Sequence, residues 1–263
     1  MATTALPADP PLTFLAAYYS GTALMFAPAL LLARGDAARR VILGFGCAYS
    51  NSVLLGIPLI VAALGQAASV PLFLLIAFHS PLFFTAVTVL IEAQRGSRTE
   101  LGRFARTLAA ALATNIVLVT VMAGLAFNLL EVSLPGPVDQ AAEYLGRAAF
   151  PAALFSMGAS LRRYKLAGAL GAAALVVAAK LLVHPLVMAG LVLVVFDVPP
   201  LWAKVAILTA ALPTGINVYM FATRYGVGEA ESTTTILLSN VASLVTIAVV
   251  LALLGVEPTI AAR

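Results

Sequence analysis

The chain has 263 residues, of which 62% are hydrophobic and 10% are charged, and its mean hydropathy is +1.05. Soluble domains carry about 25% charged residues, so this composition excludes a soluble globular protein and indicates an all-α polytopic membrane protein. The single cysteine, Cys47, excludes an internal disulfide and a metal cluster held by cysteines.

Uncharged runs long enough to cross a bilayer, which takes about 17–25 residues, recur along the chain. Six such runs lie at 12–33, 41–65, 69–91, 107–130, 205–223 and 232–255. Two further runs carry one basic residue each: 140–161 contains Arg147, and 166–196 contains Lys180. The sequence therefore predicts eight transmembrane helices.

The basic residues lie on one side of this predicted topology. If segment 34–40 is cytoplasmic, the cytoplasmic loops hold Arg34, Arg39, Arg40, Arg95, Arg98, Arg103, Arg106, Arg162, Arg163, Lys165 and Arg224. The outer segments then hold only Arg263, a strong positive-inside signal that predicts both termini on the outer side of the cell membrane. Topology thus accounts for the net charge of +4, and no nucleic-acid partner is implied.

Two of the predicted spans combine Pro, Gly and Asn at their centres. Pro removes a backbone donor and Gly adopts unusual dihedrals, so we expect the backbone to open at 56–58 and 213–215. Paired interruptions of this kind mark the substrate sites of transporters, where half-helix ends meet at mid-membrane. The alternative is that the prolines are packing kinks and that the amides only satisfy freed backbone groups. The candidate substrate-binding residues are Ser50, Asn51, Ser52, Gly56, Pro58, Pro213, Thr214, Gly215 and Asn217.

The two broken spans occupy corresponding positions. Each is the penultimate span of its half, and the two run in opposite directions, as in an inverted-topology repeat. Residues 1–92 would form an incomplete first repeat of three helices, 93–106 a basic cytoplasmic loop, and 107–263 a second repeat of five helices. This arrangement predicts the remnant of a five-plus-five inverted repeat.

Three ionisable residues lie inside predicted spans, where such groups are usually functional. Lys180 could hold the charge of a substrate or take part in proton coupling, or it could bind backbone carbonyls of a broken helix. His184, four residues later, and His79 are either structural or part of a proton relay. No Asp or Glu lies deep in a span, and no phosphate-binding loop is present, so ATP-driven transport is not expected.

Several segments resemble the auxin efflux carrier family, whose bacterial members are often described as malonate or malate transporters. Ser-Asn-Ser-x3-Gly-Ile-Pro-Leu at 50–59 and Ala-Leu-Pro-Thr-Gly-x-Asn at 211–217 are similar to motifs of its fourth and ninth helices. Segments similar to its fifth, seventh, eighth and tenth helices lie at 77–84, 150–161, 180–185 and 232–239. The resemblance implies two inverted five-helix repeats related to the bile acid:sodium symporter fold, with helices four and nine crossing where they unwind. It leaves the family's first two helices without a counterpart ahead of residue 12.

We therefore expect a secondary transporter of a small organic anion: a carboxylate, a dicarboxylate such as malonate or malate, or an auxin-like acid. We expect the lipid bilayer as its surroundings, no cofactor and no metal, with the coupling ion (H⁺ or Na⁺) left open. Residues 1–263 should insert, whereas transport should need about two more spans or a homodimer that covers the gap. A transport-dead paralogue stays an alternative. An intramembrane enzyme or photoreceptor with Lys180 as nucleophile or Schiff base is disfavoured, because no buried carboxylate counter-ion accompanies it.

The predicted topology can be tested by labelling cysteines. In a Cys47→Ser background, cysteines placed at Arg98 and Asp197 should react from opposite sides of the membrane, because the first position is predicted inside and the second outside. An impermeant reagent on intact cells should label only the Asp197 position. Labelling of both positions in intact cells would contradict the topology.

Overall fold

The computed structural model describes residues 12–94, 116–130, 135–161 and 168–256, with a few positions between 106 and 114. Within these ranges the regular structure is helical and no strand is formed, although one isolated bridge pairs two extended residues. Four of the described helical stretches are long and apolar enough to cross a membrane: Leu12–Leu32, Gln66–Gln94, Leu170–Val195 and Glu229–Leu253. The predicted all-α, multi-pass membrane class is confirmed.

The described elements follow in chain order. The first half contains α1 (Leu12–Leu32), α2 (Ala37–Ala48), a π-helical turn (Ser52–Gly56), α3 (Ile57–Leu64) and α4 (Ser69–Gln94). The second half contains α5 (Ile116–Leu129), α6 (Gly136–Leu161), α7 (Leu170–Ala178), a π-turn (Ala179–Val183), α8 (His184–Gly190), a π-turn (Leu191–Val195), α9 (Pro200–Ala211), α10 (Asn217–Tyr225) and α11 (Glu229–Leu253).

The predicted spans correspond to these elements in two ways. Spans 12–33, 69–91, 166–196 and 232–255 fall on the four long helical stretches, and 140–161 falls within α6. Spans 41–65 and 205–223 are each divided into two shorter helices. Span 107–130 overlaps α5, but most of 107–115, like most of the predicted loops 92–106 and 162–165, lies outside the described residues.

The first helix break does not lie where the sequence predicted it. Gly56 has helical dihedrals. Pro58 occupies the first turn of α3, where the N–H that proline lacks would have no partner within that helix. Tyr49, Ser50 and Asn51 are the residues that leave the helix, one to two turns earlier. The expectation of an opening at 56–58 was therefore wrong, whereas the second opening, at 212–216, includes the predicted 213–215.

Proline instead widens the helical turn that precedes it. Ile57 donates its N–H to the Ser52 carbonyl, five residues back, immediately before Pro58. His184 does the same to Ala179 immediately before Pro185. A proline cannot donate to the carbonyl four residues back and its ring clashes with it, so the preceding turn takes up the wider π spacing.

The divided helices form the centre of the bundle. α2 and α9 have 12 residues each, about 18 Å at 1.5 Å per residue, so both end near the middle of a hydrocarbon core about 30 Å thick. Their last eight residues or more are buried almost without exception. The breaks therefore lie deep in protein, where non-helical backbone is tolerated at this depth.

An ion pair joins the two halves at one end of the bundle. Arg39, at the start of α2, donates from Nε and Nη2 to Glu231 Oε1 at 2.8 and 2.6 Å, and the pair is mostly buried. Arg39 also bonds the Arg34 carbonyl. This contact places segments 34–40 and 224–230 at the same end of the bundle, as the basic-residue pattern predicted for two cytoplasmic loops.

Two glycines allow the broken segments to approach each other. A Cβ at Gly215 would lie 2.5 Å from the Tyr49 ring and 3.2 Å from the Ser50 carbonyl oxygen. A Cβ at Gly56 would lie 2.7 Å from Leu212 Cδ1. The space at these two positions is therefore occupied by the opposite segment.

Gly215→Ala should lower the thermal stability of the detergent-purified protein, because the added methyl must displace the Tyr49 ring and overpacking of this kind destabilises by about 1–3 kcal/mol. Gly190→Ala is the matched control, since a Cβ at Gly190 in α8 meets nothing within 4 Å. Melting followed by size-exclusion chromatography measures both. Equal melting temperatures for the two variants would show that the two broken segments are not tightly packed against each other.

Candidate functional site

The two broken segments, residues 49–51 and 212–217, meet at a crossing, where they pair through their backbones. Asn51 donates its N–H to the Pro213 carbonyl at 2.9 Å, and Gly215 donates to the Tyr49 carbonyl at 3.1 Å. These two bonds form a one-pair antiparallel bridge in which Ser50 faces Thr214. Each break therefore supplies backbone partners for the other, which explains how extended chain is stable in the middle of an apolar bundle.

The central residues of the bridge are held by the last helix of their own half. Ser50 donates its N–H to His79 Nε2 on α4 at 3.2 Å. Thr214 donates its N–H to Ser239 Oγ on α11, also at 3.2 Å. The two bonds are equivalent in position and role, one in each half of the chain.

The hydroxyls of the same two residues reach into the other half. Thr214 Oγ1 donates to the Gly46 carbonyl near the end of α2 at 2.9 Å. Ser50 Oγ accepts from Lys180 Nζ at 2.9 Å. Each residue is thus bound to its own half through its backbone and to the opposite half through its side chain.

Lys180 is fully buried and its ammonium lies at this crossing. Besides Ser50, Nζ contacts the Ala210 carbonyl at 2.6 Å and His184 Nδ1 at 3.1 Å. Ala210 is the second-last residue of α9, so its carbonyl is among those that a helix end leaves without an internal partner. Of the two alternatives for Lys180, the geometry has the ammonium bound to the backbone of the broken helix.

The two histidines make different contacts. Because His79 Nε2 accepts from a backbone N–H, that nitrogen carries no proton in this arrangement; Nδ1 lies 3.3 Å from the Tyr18 hydroxyl. His184 contacts Lys180 through Nδ1, and its buried Nε2 has no hydrogen-bond partner in the described part of the chain. His79 therefore positions the Ser50 backbone.

The two candidate amides also differ. Asn217 begins α10 and donates from Nδ2 to the Tyr49 hydroxyl at 2.8 Å, which lies 2.8 Å from Ser80 Oγ. Asn51 precedes the π-turn and is 9% exposed, and among the described residues no partner for its side-chain amide is found. The backbone carbonyl of Asn51 accepts from the Gly56 N–H at 3.0 Å. Within the described part of the chain, Asn51 is thus the candidate amide without a partner, and Asn217 the one already oriented.

The structure brings most of the predicted residues together. Ser50, Asn51, Pro213, Thr214, Gly215 and Asn217 lie at the crossing itself, and Ser52 begins the following turn. Gly56 packs against the crossing, and Pro58 lies a turn further along α3, away from the bridge. Three side chains at the crossing were missed: Tyr49, Ser80 and Ser239. Each is adjacent to or within a quoted motif, but nothing in the sequence alone distinguished them.

Both kinds of helix end meet at the crossing. The C-terminal ends of α2 and α9 reach it, and the half-helix N-termini at Ser52 and Asn217 point their partial positive charges toward it, with the basic side chain of Lys180 beside them. The acidic residues of the described chain all lie near helix ends: Asp36, Glu92, Asp139, Glu143, Asp197, Glu229 and Glu231. The arrangement is chemically suited to an anion.

Comparison with known proteins identifies the class. Residues 101–251 match the family described as membrane transport protein. The chain belongs to this family, which includes the auxin efflux carriers that its motifs resemble. The chain is thus a multi-pass membrane transport protein, and this family points to transport rather than to an enzyme.

A curated relative is similar over most of the chain. It is a protein of Rhizobium meliloti (strain 1021) with the name "Putative malonate transporter". The two are 33% identical over 240 residues, which make up 91% of this chain and 75% of the relative. The similarity therefore extends across both broken segments.

Thr214→Val should destabilise the crossing, because the Gly46 carbonyl loses the hydroxyl that bonds it from the opposite half. The N–H that would bond this carbonyl in a continuous helix belongs to Ser50, and it is donated to His79 instead. Leaving a buried carbonyl unpaired is worth about 1–3 kcal/mol. Thr209→Val is the matched control: Thr209 is equally buried, but its hydroxyl bonds the Val205 carbonyl within α9. Thermal melting should show the larger loss for Thr214→Val, and a larger loss at Thr209 would refute the assigned bond.

Proposed function

We propose that the chain is a secondary active transporter that carries a small organic anion across the cytoplasmic membrane. The crossing of 49–51 with 212–217 is its substrate site. The single observation that carries the proposal is the convergence, at mid-membrane, of two half-helix N-termini and a buried ammonium with no acidic side chain nearby in the described residues. Anionic groups of substrates bind at such half-helix N-termini in transporters with broken helices.

We propose a dicarboxylate such as malonate as the first substrate to test. The name of the Rhizobium meliloti relative supports this choice. In addition, two half-helix N-termini offer a separate seat for each carboxylate of a short diacid. A monocarboxylate or an auxin-like acid would use only one of them.

The eight-span inverted repeat belongs to the same proposal. The matched bonds from Ser50 to His79 and from Thr214 to Ser239 support it, because equivalent positions of two repeats should make equivalent contacts. The Arg39–Glu231 pair supports the predicted sidedness of the loops, with residues 34–40 and 224–230 in the cytoplasm and both termini outside. A homodimer is compatible with this topology.

Two measurements test the function. Isothermal titration of malonate into the detergent-purified chain tests the site, with acetate as the monocarboxylate and glycerol as the uncharged comparison. Uptake of radiolabelled malonate into liposomes tests transport, using residues 1–263 and a longer form with two further spans upstream. Binding together with uptake by either form supports the transporter. Binding with no uptake by either form supports the transport-dead paralogue. No binding of any carboxylate would refute the site.

Asn51→Ala and Asn217→Ala should each weaken malonate binding about tenfold or more, because a polar group left without its partner loses about 1–3 kcal/mol. Asn51 should show the larger effect, since the described residues give its amide no other partner. Gln66→Ala is the control: it removes an exposed amide at the opposite end of α3, outside the crossing. If both asparagine variants bind malonate as the wild type does, these residues are structural.

A further inference from the structure

The Lys180 ammonium has as many hydrogen-bond acceptors around it as it has donors. An ammonium has three N–H donors, and Nζ has three acceptors: the Ser50 hydroxyl, the Ala210 carbonyl and His184 Nδ1. These acceptors come from the first broken segment, from the end of α9 and from the helical stretch that carries Lys180 itself. All three donors are therefore used inside the protein, and none is left for a ligand.

The two oxygen acceptors are of the kind that holds a free cation in other transporters. Unwound carbonyls and half-helix C-terminal ends coordinate Na⁺ or protons where broken helices meet. Here the Ala210 carbonyl lies at the C-terminal end of α9, where the helix dipole is negative, and the Ser50 hydroxyl lies on the extended segment. The Lys180 ammonium lies where those oxygens converge.

No other charged group in the described part of the chain lies at this position. The titratable side chains that face the ammonium are His184 on α8, His79 on α4 and Cys47 on α2. Tyr18 on α1 and Tyr49 on the extended segment lie behind them, against His79. A carboxylate that could neutralise Lys180 is absent from the described residues around it. A second cation beside the ammonium would be repelled, while an anion at the neighbouring half-helix N-termini would be attracted.

We propose that the Lys180 ammonium is the resident cation of the crossing: it occupies the place of a free monovalent coupling cation, so that the anion binds without Na⁺. This rests on the proposed function, because it assumes that the crossing binds an anion. Lys180 is then a positioning residue, which holds Ser50 against the end of α9 and sets the sign of the site without touching the substrate.

The test compares malonate binding in two salts. Isothermal titration of malonate into the purified wild-type chain in choline chloride and in NaCl should give affinities within about twofold of each other. An affinity at least tenfold higher in NaCl would overturn the proposal while leaving the anion site in place. No malonate binding in either salt would remove the proposed function itself, so the two failures are distinguishable.

Lys180→Ser supplies the second arm, because it removes the ammonium and leaves the Ser50 and Ala210 oxygens facing a small gap. Its malonate affinity should fall at least tenfold in choline chloride and recover at least threefold in NaCl, a salt response that a purely structural lysine would not produce. Unchanged affinity in choline chloride, or an equal loss in both salts, would overturn the proposal. Lys204→Ser is the control, since Lys204 lies on α9 near its outer end and should bind as the wild type does. If Lys180→Ser is not monodisperse, the wild-type comparison decides alone.

Discussion

Hydrogen bonding between two interrupted helices at mid-membrane is the constraint on which the rest of this structure depends. Backbone groups there have no water to bond, so each opened segment must find its partners in protein. The bridge of Ser50 with Thr214 supplies two of these bonds, and His79 and Ser239 supply the next two. Small residues such as Gly56 and Gly215 admit the opposite segment, and polar residues such as Ser50 and Thr214 bond to it.

The two helix ends at the crossing are satisfied by different chemistry. The end of α2 bonds to a neutral hydroxyl, that of Thr214, whereas the end of α9 bonds to the ammonium of Lys180. A pair of matched breaks thus acquires a single basic side chain, contributed by the second half alone. The same residue also joins the two halves, because its Nζ bonds both Ser50 and Ala210.

Aromatic side chains connect the crossing with the long helices around it. Tyr49 stacks on His79 with ring centroids 4.7 Å apart, and its hydroxyl orients Asn217. His79 in turn contacts the Tyr18 hydroxyl on α1. A single layer of side chains therefore links the opened backbone, one candidate ligand-binding amide and two long membrane helices.

The sequence by itself determined the membrane class, the positions of the long helices and the identity of the second break, since hydropathy and helix-breaking residues act locally. It also identified most residues of the crossing, because polar groups are rare at such depth, but not Tyr49, Ser80 or Ser239. Tertiary structure decided where the first helix opens: Pro58 only widened the preceding turn, and the opening moved to Tyr49–Asn51, where the opposite backbone offers partners. It alone decided the contacts of Lys180, since a buried ammonium bonds to whichever acceptors the fold brings within reach, and here these come from residues 30 and 130 positions away.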